Sequence, residues 1–294
     1  MRKTIFEQLE GMMSLSKEIE RLDDLLNDKS GIKIEIPPDP FYSSILDSTF
    51  QYYTIENYVD EYGFKYWKGR GTCISCNDMR NCLNIDDILI LDNPTEDQII
   101  TFIEYVANII YVSKTIELED RYKQHDTPVS IALRENLDSV LDWLNLEATT
   151  FDEKEQVIIT EKSAKVTAVA EITSANISYQ IVKYNHHTLK GDIEKKKAIL
   201  LVLSNELEPK RKQLSSINIQ LTTNIFYMLN NLNLRHNNRS KKDKNYKEYV
   251  AKMKKNKLEE WYDELYQMML LAFLELEQVE RNAKFNELKT CIEA

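Results

Sequence analysis

Glycine and proline are scarce in this chain: six of each in 294 residues. Few tight turns can be built from so little of either, and long helices are favoured. The glycines are Gly11, Gly31, Gly63, Gly69, Gly71 and Gly191. None of them forms a phosphate-cradling loop or a dinucleotide fingerprint, which excludes the usual ATPase, kinase and nicotinamide-enzyme signatures. Long apolar runs are missing as well. The longest cluster, Met268–Leu274, falls far short of the roughly 20 residues that span a bilayer. Met1-Arg2-Lys3 leads into mixed residues rather than an apolar core, so a soluble, cytoplasmic protein with no membrane partner is expected. Four cysteines, with Cys291 remote from the others, do not make a secreted disulfide framework.

Apolar residues, at 43%, are plentiful enough for a sizeable core. The formal net charge is −10, but it is spread unevenly. Between Arg235 and Lys257 ten basic residues face two acids, a local +8 that leaves −18 elsewhere.

Periodicity predicts a mainly α-helical protein. Arg2–Lys29 carries an apolar stripe of Ile5, Leu9, Met12, Ile19, Leu22 and Leu26, with Gly31 placed to close the helix. Ile32–Ile36 alternates like a strand and Pro37-Pro38 ends it. Phe41–Tyr62, rich in aromatics, reads as helical, and Ile85–Leu91 as a buried strand or a short helix. Thr95 with Gln98 is a capping box that starts a helix running to about Tyr122, and Thr127-Pro128 starts another. Leu146–Thr149 and Gln156–Thr160 fit a small β-hairpin. Beyond it Ser163–Tyr184, Asp192–Leu207, Lys210–Leu234 and Lys257–Leu288 are expected to form a four-helix bundle. The expected division is residues 1–160, a mostly helical region with short strands, and residues 161–294, the bundle.

Three places could carry chemistry. The helix over Ile217, Leu221, Ile225, Met228 and Leu229 runs into five asparagines within Asn230–Asn238, a strong stop signal. Arg235 and His236 lie there. Arg presents a planar fork to phosphate, and His moves protons near neutral pH. A metal-independent ribonuclease needs both, and a solvated helix end with cations near its negative pole would show the same residues. Next to them Arg239, Lys241, Lys242, Lys244, Tyr246 and Lys247 combine phosphate-neutralising cations with an aromatic that can stack on bases. The same segment could instead be a solvated loop, or could meet an acidic protein surface. Finally, Cys73, Cys76 and Cys82 supply three thiols in ten residues. A structural zinc needs a fourth ligand, from a His, Asp78 or Cys291; otherwise these are reduced thiols and no cofactor is called for.

A helical bundle with an Arg/His motif flanked by Asn before the last long helix resembles the HEPN superfamily. The resemblance covers roughly Ser163–Leu288. Arg235 stands for the family's Arg and His236 for its His, adjacent here where the family spaces them by four to six residues. Arg121-x3-His125 is a second, looser match. The resemblance implies an endoribonuclease acting on RNA in anti-phage defence, abortive infection or a toxin system. It also implies pairing of two copies, for which the last helix could form the seam. A non-enzymatic helical adaptor, or a regulatory subunit of a larger defence or nucleic-acid complex, is the other reading.

Overall fold

The computed structural model describes residues 14–38, 48–86, 88–91 and 94–293. The chain divides into two compact units, Met1–Lys162 and Ser163–Ala294. Among the described residues it is mainly α-helical, with two small antiparallel sheets.

In the first unit helix α1 (Leu15–Leu26) buries Ile19, Leu22 and Leu26. The part of the predicted stripe on Ile5, Leu9 and Met12 lies outside the described residues. Gly31 does not close α1, since Asn27 does. Gly31 instead enters β1 (Ile32–Ile36), where a Cβ would sit 2.8 Å from Ile55 Cγ1, so close approach is what requires glycine here. β1 is central in a three-stranded sheet, flanked by β2 (Thr49–Tyr53) and β3 (Lys123–Asp126).

The helix expected over 41–62 is therefore corrected. Residues 49–53 pair with β1 in register, and only Ile55–Tyr62 (α2) is helical, capped by Thr54. Residues 41–47 lie outside the described residues. Cys76–Cys82 forms the short α3. The described part of Ile85–Leu91 is neither strand nor helix but a series of turns, although Ile85 and Ile88 are buried.

The capping box at Thr95 and Gln98 starts α4 (Glu96–Thr115), the central helix of the unit. α4 stops at Thr115 rather than near Tyr122, because the chain must turn into β3. α5 (Pro128–Trp143) begins at the predicted Thr127-Pro128. The hairpin of β4 (Leu146–Phe151) and β5 (Gln156–Glu161) follows as expected. α4 packs against α1, α2, α5 and β5, and Asn108 on it holds β5 by both its amide groups at 2.8 and 2.9 Å to Val157.

The second unit is a helical bundle organised on α12 (Lys255–Glu293). Two of the predicted segments are each split. Ser163–Tyr184 becomes α6 (Ala164–Ile172) and α7 (Ala175–Tyr184), separated at Thr173-Ser174. Lys210–Leu234 becomes α9 (Arg211–Ile217) and α10 (Ile219–Asn231), separated at Asn218, which caps α10 with its own side chain. Between them lies α8 (Ile193–Leu207), capped by Asp192 after Gly191 at φ +80°. α12 packs on α6, α8, α9 and α10. Its stripe of Leu258, Tyr262, Leu265, Met269, Phe273 and Leu276 is buried; Val279 is not, and every described residue beyond Glu277 is exposed. Among the described residues no helix is long and apolar enough to cross a membrane.

Candidate nucleic-acid interface

Helix α10 ends where the asparagines begin, and the chain does not then wander. Asn233 adopts the left-handed region at φ +59°, which asparagine tolerates better than most residues. Leu234 drops back into the core at 4% exposure. The segment that follows is closed on one buried side chain, Asn238, at 0% exposure. Its Oδ1 accepts the Asn233 N–H at 2.8 Å, its Nδ2 donates to the Asn245 carbonyl at 2.8 Å, and its own carbonyl accepts the Lys247 N–H at 2.8 Å.

Within that closure three turns succeed one another: Ser240 N–H to Asn237 O, Asp243 N–H to Ser240 O, and Tyr246 N–H to Asp243 O. Asp243 also accepts the Asn245 N–H. Arg239 donates to the Met253 carbonyl at 3.2 Å, and Val250, on the short helix α11 (Glu248–Lys252), is buried with Met253. The loop is thus built as a unit, with much of its backbone bonded from inside and its apolar ends anchored.

Lys241, Lys242, Lys244 and Lys247 are all exposed on this loop. Among the described residues none of the four has a carboxylate partner. Lys252 and Lys257, by contrast, are paired with Glu248 and Glu260. Tyr246 is half-buried and Tyr249 is 74% exposed. Beside the loop opens a pocket of about 410 Å³, lined by Lys190, Arg239 and Lys255 along with Asp192, Glu194 and Asn233.

Arg235 is engaged elsewhere. Its Nη2 lies 2.5 Å from Glu208 Oε2 and 3.4 Å from Ser204 Oγ. The guanidinium stands 5.3 Å from the Phe226 ring, and Arg211 covers the same ring at 4.2 Å while reaching Glu208 at 3.6 Å. Glu208 and Phe226 therefore gather two arginines where α8, α9 and α10 come together. His236 is exposed, and its ring has no partner among the described residues. The looser Arg121 and His125 match is also accounted for: Arg121 pairs with Glu119, and His125 Nε2 lies 2.9 Å from Glu35 Oε2 across the β1–β3 pair.

The three cysteines part company. Cys76 faces the core at 1% exposure, with its thiol directed at the Glu56 carbonyl at 3.7 Å, and burial pushes its pKa well up. Cys73 and Cys82 come together with Asp78 instead. His186 and His187 sit at the α7–α8 junction with ring centroids 4.5 Å apart.

The residue that residue-by-residue reading undervalues here is Asn238. An asparagine in a polar run signals a helix stop; nothing in its local context shows that it will be the buried pin of the loop that follows. No family model, curated protein or solved structure matches the chain.

Proposed function

We propose that this protein is a helical RNA-binding component, with the Asn238-pinned basic loop as its contact surface. The observation that carries this reading is the set of exposed lysines at 241, 242, 244 and 247, without carboxylate partners among the described residues, on a loop closed from within by Asn238. Fixing the loop lowers the ordering cost on binding. Phosphates would be met by the lysines and Arg239, and an unstacked base by Tyr246 or Tyr249. Such contacts read backbone and base faces, so weak sequence preference follows. In this reading the protein is a non-enzymatic adaptor or regulatory subunit of a larger nucleic-acid complex.

Endoribonuclease action of the HEPN kind, in phage defence or a toxin system, is the second reading. The exposed imidazole of His236, one residue from Arg235, favours it. The ion pair from Arg235 to Glu208 weighs the other way, because a guanidinium already neutralised would have to change partners to meet a phosphate.

One set of measurements separates them. Binding of a fluorescent single-stranded RNA is followed by anisotropy across salt concentration. Five phosphate contacts, from the four lysines and Arg239, give a log–log slope of about −3.5 for a single strand. Replacing Lys241, Lys242, Lys244 and Lys247 with Gln should flatten most of that slope, whereas Arg235→Gln should leave it unchanged. A wild-type protein without salt-dependent binding defeats the proposal. Cleavage of total RNA by wild type, abolished in an Arg235→Ala/His236→Ala double variant, would instead establish the enzyme.

A further inference from the structure

The Cys73, Asp78 and Cys82 cluster belongs to the first unit. Asp78 and Cys82 are four apart on α3, so they share one face of that helix. Cys73 stands on the preceding loop, where Arg70 Nη1 bonds its carbonyl at 2.7 Å. One ligand atom from each of the three, two sulfurs and a carboxylate oxygen, lies within 4.8 Å of the others. Around a tetrahedral zinc, sulfur at about 2.3 Å and oxygen at about 2.0–2.2 Å are separated by roughly 3.5–3.8 Å, so small side-chain rotations bring all three onto one ion. Asp78 Oδ2 already accepts the Ile74 N–H at 3.0 Å, the kind of outer hydrogen bond that orients a ligating carboxylate. Cys73 is buried and Cys82 exposed, which makes the cluster half-open to solvent.

The geometry points to a zinc site formed by Cys73, Asp78 and Cys82, with Cys76 excluded and water at the fourth position. Binding would convert two thiols to thiolates, releasing two protons to solvent and leaving two thiolates and one carboxylate around a dication. A soft divalent metal is selected by the sulfur pair, and the closed ring clips the Gly69–Cys73 loop to α3. With three protein ligands and a water the site stays open, unlike a closed four-ligand structural zinc, so the clip adds a reversible tie to a segment already held by Trp67 and Lys68 on Glu155 and by Arg70 on the Cys73 carbonyl.

The test is a cobalt titration of the reduced full-length chain, read by thiolate-to-cobalt charge transfer and followed by displacement with zinc. One cobalt per chain is expected, together with proton release in weak buffer. Cys82→Ser and Asp78→Asn should each weaken binding by about tenfold or more. Cys76→Val, Cys76→Ser and Cys291→Ser should leave it unchanged. Circular dichroism checks each variant, and the two Cys76 replacements guard against one of them misfolding. The assignment is overturned if wild type gives no charge transfer. It is equally overturned if Asp78→Asn binds like wild type, or if both folded Cys76 variants lose cobalt as Cys82→Ser does. A chain that instead lacks two hydrogens in its intact mass and takes up no cobalt holds a Cys73–Cys82 disulfide, which also defeats it.

Discussion

Each unit holds a cation deep in its packing, and the two are built from nearly the same parts. In the first unit Arg80 meets Asp23 and Glu56, with Nε 3.5 Å from Glu56 Oε1; the Tyr105 hydroxyl donates to Glu56 Oε1 at 2.5 Å, and the guanidinium faces the Phe102 and Tyr105 rings. In the second, Lys196 meets Glu259 and Asp263 at 2.8 Å each; the Tyr184 hydroxyl donates to Asp263 at 2.9 Å, and Tyr184 stacks on Tyr266 at 4.1 Å. The difference is in the acids. Both carboxylates around Arg80 are half-buried, with side chains 16% and 12% exposed; around Lys196, Glu259 matches them at 17% but Asp263 is 47% exposed. Composition alone therefore does not set what such a cluster is worth; access of water to its anions does.

The largest effect should follow Arg80→Ala. It removes a buried cation and strands two half-buried carboxylates, and breaking a buried ionic group in this way costs about 3–5 kcal/mol. Lys196→Ala in the second unit should cost less, about 1–3 kcal/mol, because water can reach Asp263 when the ammonium is gone. Urea denaturation of the full chain measures both. Equal losses, or a larger loss from Lys196→Ala, would break the comparison.

Asn238→Ala comes next. Two part-buried side-chain hydrogen bonds disappear, leaving the Asn233 N–H and the Asn245 carbonyl without those partners; water reaches both half-buried residues, so the cost is about 1–2 kcal/mol in all. The loss should be local. Amide hydrogen exchange should quicken across residues 233–247 while α12 near Tyr262 keeps its protection. Unchanged exchange in the loop would mean that Asn238 is not its pin.

Much of the fold can be read directly from residues whose signal is local. The Thr95–Gln98 and Thr127–Pro128 caps, the β4–β5 hairpin and the apolar stripe of α12 each declare themselves within a few positions. What escapes is decided across the chain. β3 (Lys-Gln-His-Asp) has no apolar alternation and is a strand because β1 offers it an open edge. β2 reads as helix because Phe50, Tyr52 and Tyr53 satisfy either spacing until β1 fixes the register. The candidate sites divide in the same way. The excess of positive charge is visible as composition, but the burial of Asn238 and the commitment of Arg235 to Glu208, 27 positions earlier in the chain, depend on tertiary contacts. Cys73 and Cys76 look like a ligand pair by spacing, yet the first turn of α3 points Cys76 inward and leaves Asp78 and Cys82 facing Cys73.

The smallest predicted effect is a pair of pH slopes of opposite sign. Burial raises the pKa of Glu56 above the ordinary glutamate value of 4.5, against the pull of Arg80 and the Tyr105 hydrogen bond. Just above that value the folded first unit then holds more proton than the unfolded chain, so Glu56 lowers stability as pH rises through the window up to its folded pKa. For Glu259 burial also pushes upward, but the bonds from Lys196 and the Gly191 N–H outweigh it and the pKa is lowered. Its contribution to the second unit is present above 4.5 and is lost as pH falls through its folded pKa. Tryptophans can report on the two units separately in the full chain: Trp261→Phe leaves Trp67 and Trp143 in the first, and the double Trp67→Phe/Trp143→Phe variant leaves Trp261 in the second. On these backgrounds urea midpoints at about pH 4 and about pH 6 give each unit's slope. Glu56→Gln should make the first unit's stability rise more steeply with pH, and Glu259→Gln should make the second unit's rise less steeply. Slopes that move in the same direction would show that the bonds from Lys196 and Gly191 do not set Glu259 apart from Glu56.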